Sequence, residues 1–163
     1  MSPIRKIAAA LLFVAGTAVA VPAAAQNVPM VTATNPDSVL EAIRSKGYEA
    51  NFSEVASGGD PVIQIEADGN KFVLLFYNCT RGKECKTIQY FTGYTDPVVS
   101  FERINEWNKT HRFGRAYIDH EGDPVVEMDV DLDHGGLSRT LFLDNLDTWI
   151  AIVGAFGEFV TEQ

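Results

Sequence analysis

The sequence predicts an α+β domain in which an antiparallel sheet is flanked by helices, in the order α-β-β-β-β-α-β-β-α. Apolar residues recur at helical spacing in three segments, at the start, in the middle and at the end of residues 36–161. Two strand-like runs meet at Asp68-Gly69, a dipeptide typical of tight hairpins. A Gly-Asp-Pro turn precedes a strand-like run at both Gly59 and Gly122. The recurrence of this turn sequence indicates either a repeated α-β-β unit or the same turn chemistry used twice.

Length, composition and charge limit the function classes. The chain has 163 residues, 46% of them hydrophobic, and a net charge of −9. This is the size of one domain and too apolar for a disordered chain. The acidic charge argues against a nucleic-acid binder and against anionic membrane surfaces as partners.

The amino terminus has the pattern of a secretory signal peptide over residues 1–25. Arg5 and Lys6 precede an apolar run, and Ala23-Ala24-Ala25 provides small residues for cleavage after Ala25. An uncleaved anchor is the alternative, although the run is short for a membrane span. We expect a periplasmic or secreted protein with no membrane contact after cleavage. The mature chain would carry 11 basic and 22 acidic residues, a net charge of −11.

The first helix is expected to follow a flexible lead-in over residues 26–35. Asn35 is typical of an N-cap and Pro36 of a first helical position, and Gly47 marks the end. The continuous apolarity of residues 71–78 predicts a central strand buried on both faces. Strands are predicted over residues 48–55, 61–67, 71–78, 86–94, 113–119 and 124–132.

Two further helices complete the predicted domain, which spans residues 36–161. Asp96-Pro97 repeats the cap-plus-proline pattern before a helical apolar stripe that ends near Trp107. Ser138 is a candidate cap for the last helix, whose stripe runs from Leu146 to Val160.

The two cysteines, Cys79 and Cys85, are predicted to form a structural disulfide. An exported chain meets an oxidising compartment, and the polar segment between the cysteines joins two predicted strands. A hairpin loop closed by the bond is the simplest geometry. A redox-active pair usually has C-x-x-C spacing and a zinc site needs further ligands, so both alternatives are weaker.

The strand over residues 124–132 alternates apolar with acidic residues. Its acidic side forms a candidate partner-binding face. A calcium loop is the alternative, but His134 and Thr140 stand where such a loop needs Gly and Glu. We predict no metal site. The face consists of Glu127, Asp129, Asp131 and Asp133.

Four aromatic residues could line a ligand pocket between the sheet and the helices, although aromatic residues at such spacing more often form core. They are Tyr90, Tyr94, Phe101 and Trp107. No phosphate-binding, nucleophile-elbow or zinc-protease motif is present. The sequence therefore nominates no catalytic residue and no cofactor, and we expect a protein that is not an enzyme.

A set of stretches lies within residues 78–94, 104–117 and 122–131, and Trp149, Phe156 and Phe159 complete it. Together these residues resemble exported members of the YbjN-type family, described as bacterial sensory transduction regulators. The likeness extends over residues 37–160. The resemblance implies a fold like that of the type III secretion chaperones, a small antiparallel sheet with flanking helices, often dimeric. It implies no catalytic residues.

Three function classes follow from the sequence, and the last and weakest is a hydrolase whose catalytic residues are far apart in the sequence. The first is a non-enzymatic, exported protein-interaction module, chaperone-like or regulatory, whose partner is another protein. A homodimer through a helix face or an exposed strand edge is compatible with this class. The second is a small-ligand sensor that uses the aromatic pocket.

Overall fold

The computed structural model describes residues 29–53 and 59–162. The predicted signal peptide, residues 1–25, lies outside the described residues. The described part contains three helices and eight strands. In chain order these are β1 (Met30–Val31), α1 (Pro36–Arg44), β2 (Glu49–Phe52), β3 (Val62–Ala67), β4 (Asn70–Tyr77), β5 (Thr87–Gly93), α2 (Phe101–Thr110), β6 (Arg115–Ile118), β7 (Pro124–Asp131), β8 (Leu137–Ser138) and α3 (Arg139–Thr161).

Six strands form one antiparallel sheet in the order β2-β3-β4-β5-β7-β6. The chain runs through β2 to β5 as a meander. It then passes through α2 to the far edge and returns as β7 between β5 and β6. Asp68 and Gly69 both have positive φ, 48° and 79°, as the predicted tight hairpin requires. The predicted α+β class and the order of its nine elements are confirmed.

The sheet buries one face and leaves the other open. In β4, Phe72, Leu74 and Phe76 are buried, whereas Val73 and Leu75 are only half-buried. The buried side chains of the strands form one core with those of the three helices. The prediction that β4 is buried on both faces is therefore wrong. Its continuous apolarity instead gives the open face an apolar surface.

Of the three helices, α3 contributes the most buried side chains to the core. The Ser138 side chain accepts a hydrogen bond from the backbone N–H of Leu141 (3.3 Å), so Ser138 is the predicted cap. Trp149 and Phe156 of α3 are fully buried. Among the described helices, none has the length and apolar character needed to cross a membrane.

A second, two-stranded sheet joins β1 to β8. Part of the predicted flexible lead-in is thus a strand, because Val31 and Ala33 bury their side chains in the core. The isolated valine and alanine have no period that would indicate a strand. Their burial depends on β8, which lies more than 100 residues away along the chain.

Helix α2 begins at Phe101 rather than at Asp96-Pro97. Ser100 is its N-cap, and the Ser100 hydroxyl accepts a hydrogen bond from the N–H of Arg103 (3.2 Å). The predicted helix start is wrong because Ser100 satisfies this amide, whereas residues 96–99 run outside the helix. Val98 is consequently exposed instead of lying on a helical stripe.

The predicted disulfide joins Cys79 to Cys85 in the loop between β4 and β5. Its reduction should lower the free energy of unfolding by about 2 kcal/mol, because the bond closes a seven-residue loop in the unfolded chain. Urea unfolding with and without reductant measures this difference. The Cys79→Ser/Cys85→Ser variant is the control and should not respond to reductant. Two labelled thiols in unreduced, denatured protein would contradict the assignment.

Candidate binding surface

The open face of the sheet carries an apolar patch in its middle. The register pairs Val62 with Leu75 and Val73 with Phe91, so these four side chains lie on adjacent strands on the same face. All four are half-buried. We call Val62, Val73, Leu75 and Phe91 the apolar quartet. It has no helix over it in the described part of the chain.

A cavity of about 460 Å³ opens on this face beside the quartet, across strands β2 to β5. Glu49, Glu66 and Lys71 lie along one side of it, and Val73 and Phe91 along the other. Gly93 lines the cavity on β5, and a Cβ there would lie 3.0 Å from Cγ1 of Val125. The glycine therefore permits the close packing of β5 against Val125 of β7.

On the other side of the quartet, hydrogen bonds hold the polar side chains in place. Tyr77 donates its hydroxyl proton to Oε1 of Gln89 (3.3 Å), and Nε2 of Gln89 donates to Oδ1 of Asp129 (2.9 Å). Partial burial, followed by the nearby Asp129 carboxylate, raises the pKa of Tyr77 above its ordinary value. Tyr77 is therefore a neutral donor at physiological pH.

Glu127 lies on the open face but is buried, with only 4% of its surface exposed. It forms an ion pair with Arg115 and accepts a hydrogen bond from the Tyr117 hydroxyl (3.1 Å). The predicted acidic face therefore loses one of its members. The alternation along β7 predicted the side of the strand to which Glu127 points. It did not predict that Arg115 and Tyr117 of β6 bury the Glu127 side chain.

The remaining acidic residues of the predicted face occupy two environments. Asp129 and Asp131 are exposed on the open face of β7. Asp133 lies beyond the strand, where Nζ of Lys86 is 3.3 Å from its carboxylate. A hydrogen bond from the backbone N–H of His134 and then the Lys86 ammonium lower the pKa of Asp133.

The four aromatic residues proposed to line a pocket do not form one. Tyr90 and Trp107 are completely buried, stacking on Trp149 and packing edge-on against Phe156, respectively. Phe101 is 74% exposed at the start of α2. These four residues therefore do not line a common pocket, because core side chains fill the space around Tyr90 and Trp107.

Tyr94, the fourth of these residues, packs against α3. Its hydroxyl donates a hydrogen bond to the carbonyl oxygen of Val153 (3.2 Å). A Cβ at Gly157 would lie 2.8 Å from that hydroxyl, so the glycine permits the close approach. Tyr94 is thus a structural contact between β5 and the last helix.

Side chains from two helices occupy the outer edges of the sheet. Asn108 of α2 accepts a hydrogen bond from the N–H of Ala116 in β6 (2.9 Å) and donates one to its C=O (2.8 Å). Arg44 of α1 donates to the C=O of Ala50 in β2 (2.9 Å). These contacts occupy the C=O of Ala50 and both backbone groups of Ala116. A partner strand would need these groups, so the contacts disfavour docking by strand addition.

Three carboxylates of the β6–β7 turn lie close together, with ligand-type oxygens of Asp119, Glu121 and Asp123 within 4.8 Å of one another. The turn accounts for this arrangement. Oδ1 of Asp119 accepts hydrogen bonds from the N–H groups of Glu121 and Asp123, both at 2.9 Å. The Asp123 amide is the largest cause of the lowered pKa of Asp119.

The model of the YbjN family, described as "Putative bacterial sensory transduction regulator", matches residues 35–162. This chain belongs to the YbjN family. No curated protein and no solved structure is significantly similar to it. The YbjN match covers every element from α1 onward, including all six strands of the main sheet.

Within this YbjN domain, Glu49 and Glu66 face each other directly across β2 and β3 beside the cavity. Like charges in directly opposed positions destabilise a strand pair. We expect Glu49→Gln to raise the free energy of unfolding by a few tenths of a kcal/mol, a small gain that replicate urea titrations resolve. The control is Glu41→Gln on the exposed side of α1, which should change nothing. A loss of stability in Glu49→Gln would contradict the repulsion.

Proposed function

We propose that this chain is an exported, non-enzymatic regulatory module that binds another protein through the open face of its main sheet. The observation that carries the proposal is the apolar quartet in the middle of a six-stranded sheet, over which residues 29–53 and 59–162 place no helix. A contiguous apolar patch rimmed by polar residues is characteristic of an interaction site. The family description of a regulator agrees with a binding role.

The surroundings of the quartet support a protein partner. Tyrosine is enriched in protein interfaces because it joins a large apolar ring to a polar group. Tyr77 and Tyr117 border the open face, at 41% and 37% exposure. The hydrogen bonds of Tyr77 to Gln89 and of Tyr117 to Glu127 fix these rings before a partner arrives. Such preorganisation reduces the entropy cost of binding.

The signal-peptide pattern supports export, so the partner would be met in the periplasm or outside the cell. The occupied edges favour the face over the edges as the docking surface. Binding of a protein partner through this face requires no cofactor and no catalytic group.

Crosslinking in intact cells of the host tests the proposal. We expect the tagged wild-type chain to give a discrete crosslinked species that Leu75→Asn abolishes. The matched control is Leu141→Asn, which makes the same change at an exposed leucine of α3 and should leave the species intact. Far-UV circular dichroism checks that both variants fold. No crosslinked species with the wild type, or one that survives Leu75→Asn, would contradict the proposal.

A further inference from the structure

We propose that the partner docks an extended basic segment on the open face, with apolar side chains on the quartet and basic side chains beside the carboxylates on either side. This inference rests on the proposed function and adds the chemistry of the partner. Three features of the face carry it: the arrangement of the quartet, the distribution of charge and the distance between the charged ends.

The quartet suits a segment whose side chains alternate. Val73 and Leu75 are two residues apart on β4, and Val62 and Phe91 lie beside them on the neighbouring strands. An extended chain directs every second side chain to the same side. Apolar residues at every second position of a partner segment would therefore contact Val73 and Leu75, with Val62 and Phe91 on either side of the segment, while the intervening residues face solvent.

The charges on the face are unbalanced toward negative at both ends. At the cavity, Glu49 and Glu66 are accompanied by Lys71, whose Nζ lies 3.6 Å from the Glu66 carboxylate. At the β7 side, Asp129 and Asp131 are exposed.

Two cations near the β7 side are already engaged in ion pairs. The Arg115 guanidinium pairs with Glu127, and the Lys86 ammonium with Asp133. Among these side chains, one carboxylate at the cavity and two at β7 are left in excess. The Arg44 guanidinium, which donates a hydrogen bond to Asn51 beside the cavity (2.8 Å), is a further cation nearby.

The repulsion between the opposed carboxylates of Glu49 and Glu66 also favours the binding of a cation in the cavity. Two carboxylates in register across adjacent strands repel each other in the free protein. A lysine or arginine side chain placed between them would relieve that repulsion as well as adding its own attraction. The cavity, about 460 Å³, is large enough for such a side chain.

The geometry also sets the spacing of the basic residues. In the register, Glu66 lies opposite Lys71, while Asp131 lies opposite Thr87, which in turn lies opposite Tyr77. The two charged ends are thus six residues apart along the strands and three strand spacings apart across them, a diagonal of about 25 Å. Side chains on the same side of an extended segment are an even number of residues apart. Eight positions, about 27 Å, fit this diagonal.

Fluorescence anisotropy with two labelled nine-residue peptides tests the inference. The first is Lys-Thr-Val-Thr-Phe-Thr-Val-Thr-Lys, and the second has glutamate in place of both lysines. We expect the lysine peptide to bind the mature protein at least about tenfold more tightly. This preference should shrink as ionic strength rises from about 50 mM to about 500 mM.

Matched variants separate the proposed site from attraction to an acidic protein in general. Glu49→Gln/Glu66→Gln should reduce the preference for the lysine peptide about fivefold. Glu41→Gln/Glu158→Gln removes the same charge from exposed positions of α1 and α3 and should leave the preference unchanged.

Equal binding of the two peptides, an equal effect of the two double variants, or no binding of the lysine peptide up to about 1 mM would overturn the inference. These outcomes are distinguishable from failure of the proposed function. Peptides that bind equally but are weakened by Leu75→Asn would leave the open face as the docking surface and remove only the charge requirement. Failure of the proposed function itself appears in the cellular crosslinking, which uses the natural partner.

Discussion

Replacement of Trp149 by alanine is expected to lower the free energy of unfolding by about 4 kcal/mol. The indole is completely buried and lies between α3 and the sheet. Its ring stacks on Tyr90 with centroids 5.6 Å apart and packs edge-on against Phe72 at 6.0 Å. Removal of the side chain leaves a cavity bordered by two strands and a helix, which the rigid sheet cannot close.

Urea unfolding followed by far-UV circular dichroism measures the effect of Trp149→Ala. The control is Leu141→Ala on the same helix, at an exposed position, which should change stability by no more than about 0.5 kcal/mol. Similar losses in the two variants would contradict the packing of α3 on this face of the sheet. The result therefore also tests which face of the sheet is left open.

Gly136→Ala is expected to cost about 3 kcal/mol or more and to separate β1 from β8. Gly136 has φ of +78°, and a Cβ there would clash with the carbonyl oxygen of Val31, a backbone atom that can move only with its strand. The cost combines left-handed backbone strain of about 1 kcal/mol with the loss of the β1–β8 contact and of the burial of Val31.

Gly135→Ala is the matched control for Gly136→Ala. Gly135 also has a positive φ, +105°, but a Cβ there meets no atom within 4 Å. It should therefore cost only the backbone strain, about 1 kcal/mol. Urea unfolding gives both values, and hydrogen exchange of the Val31 and Arg139 amides reports on the small sheet. Equal costs for the two substitutions would contradict the close approach of β1 to Gly136.

Local sequence patterns predicted the main elements because each pattern depends on neighbouring residues. The Asp68-Gly69 hairpin needs only two residues that tolerate positive φ. The order of the six main strands along the chain follows from strand-length apolar runs separated by turns. The Cys79–Cys85 bond was predicted from the signal-peptide pattern and the short loop between the two cysteines. These features were accessible without knowledge of the tertiary structure.

The features that the sequence did not predict depend on distant parts of the chain. Val31 is part of a strand because β8 pairs with it. Glu127 is buried because Arg115 and Tyr117 of β6 cover it. The apolarity of β4 indicated a buried strand, but periodicity alone does not distinguish a second cover from an open apolar surface.

The candidate site was predicted only in part. Asp129 and Asp131 lie on the open face, as the alternation of β7 indicated, whereas the four aromatic residues do not line a common pocket. The cavity combines residues from β2 to β5, and Glu49 meets Glu66 only through the register of β2 and β3. A single sequence contains no direct signal for such a cross-strand arrangement. The apolar run of β4 was the one available indication.

Site-specific photocrosslinking in living cells shows whether a protein partner binds the open face. A photoreactive residue is placed at Val73 in the quartet or, as the control, at Glu158 on the exposed side of α3. We expect a specific crosslinked protein from position 73 and none from position 158. A crosslink from position 158 alone, or no crosslink from position 73 while the protein is folded and exported, would contradict it.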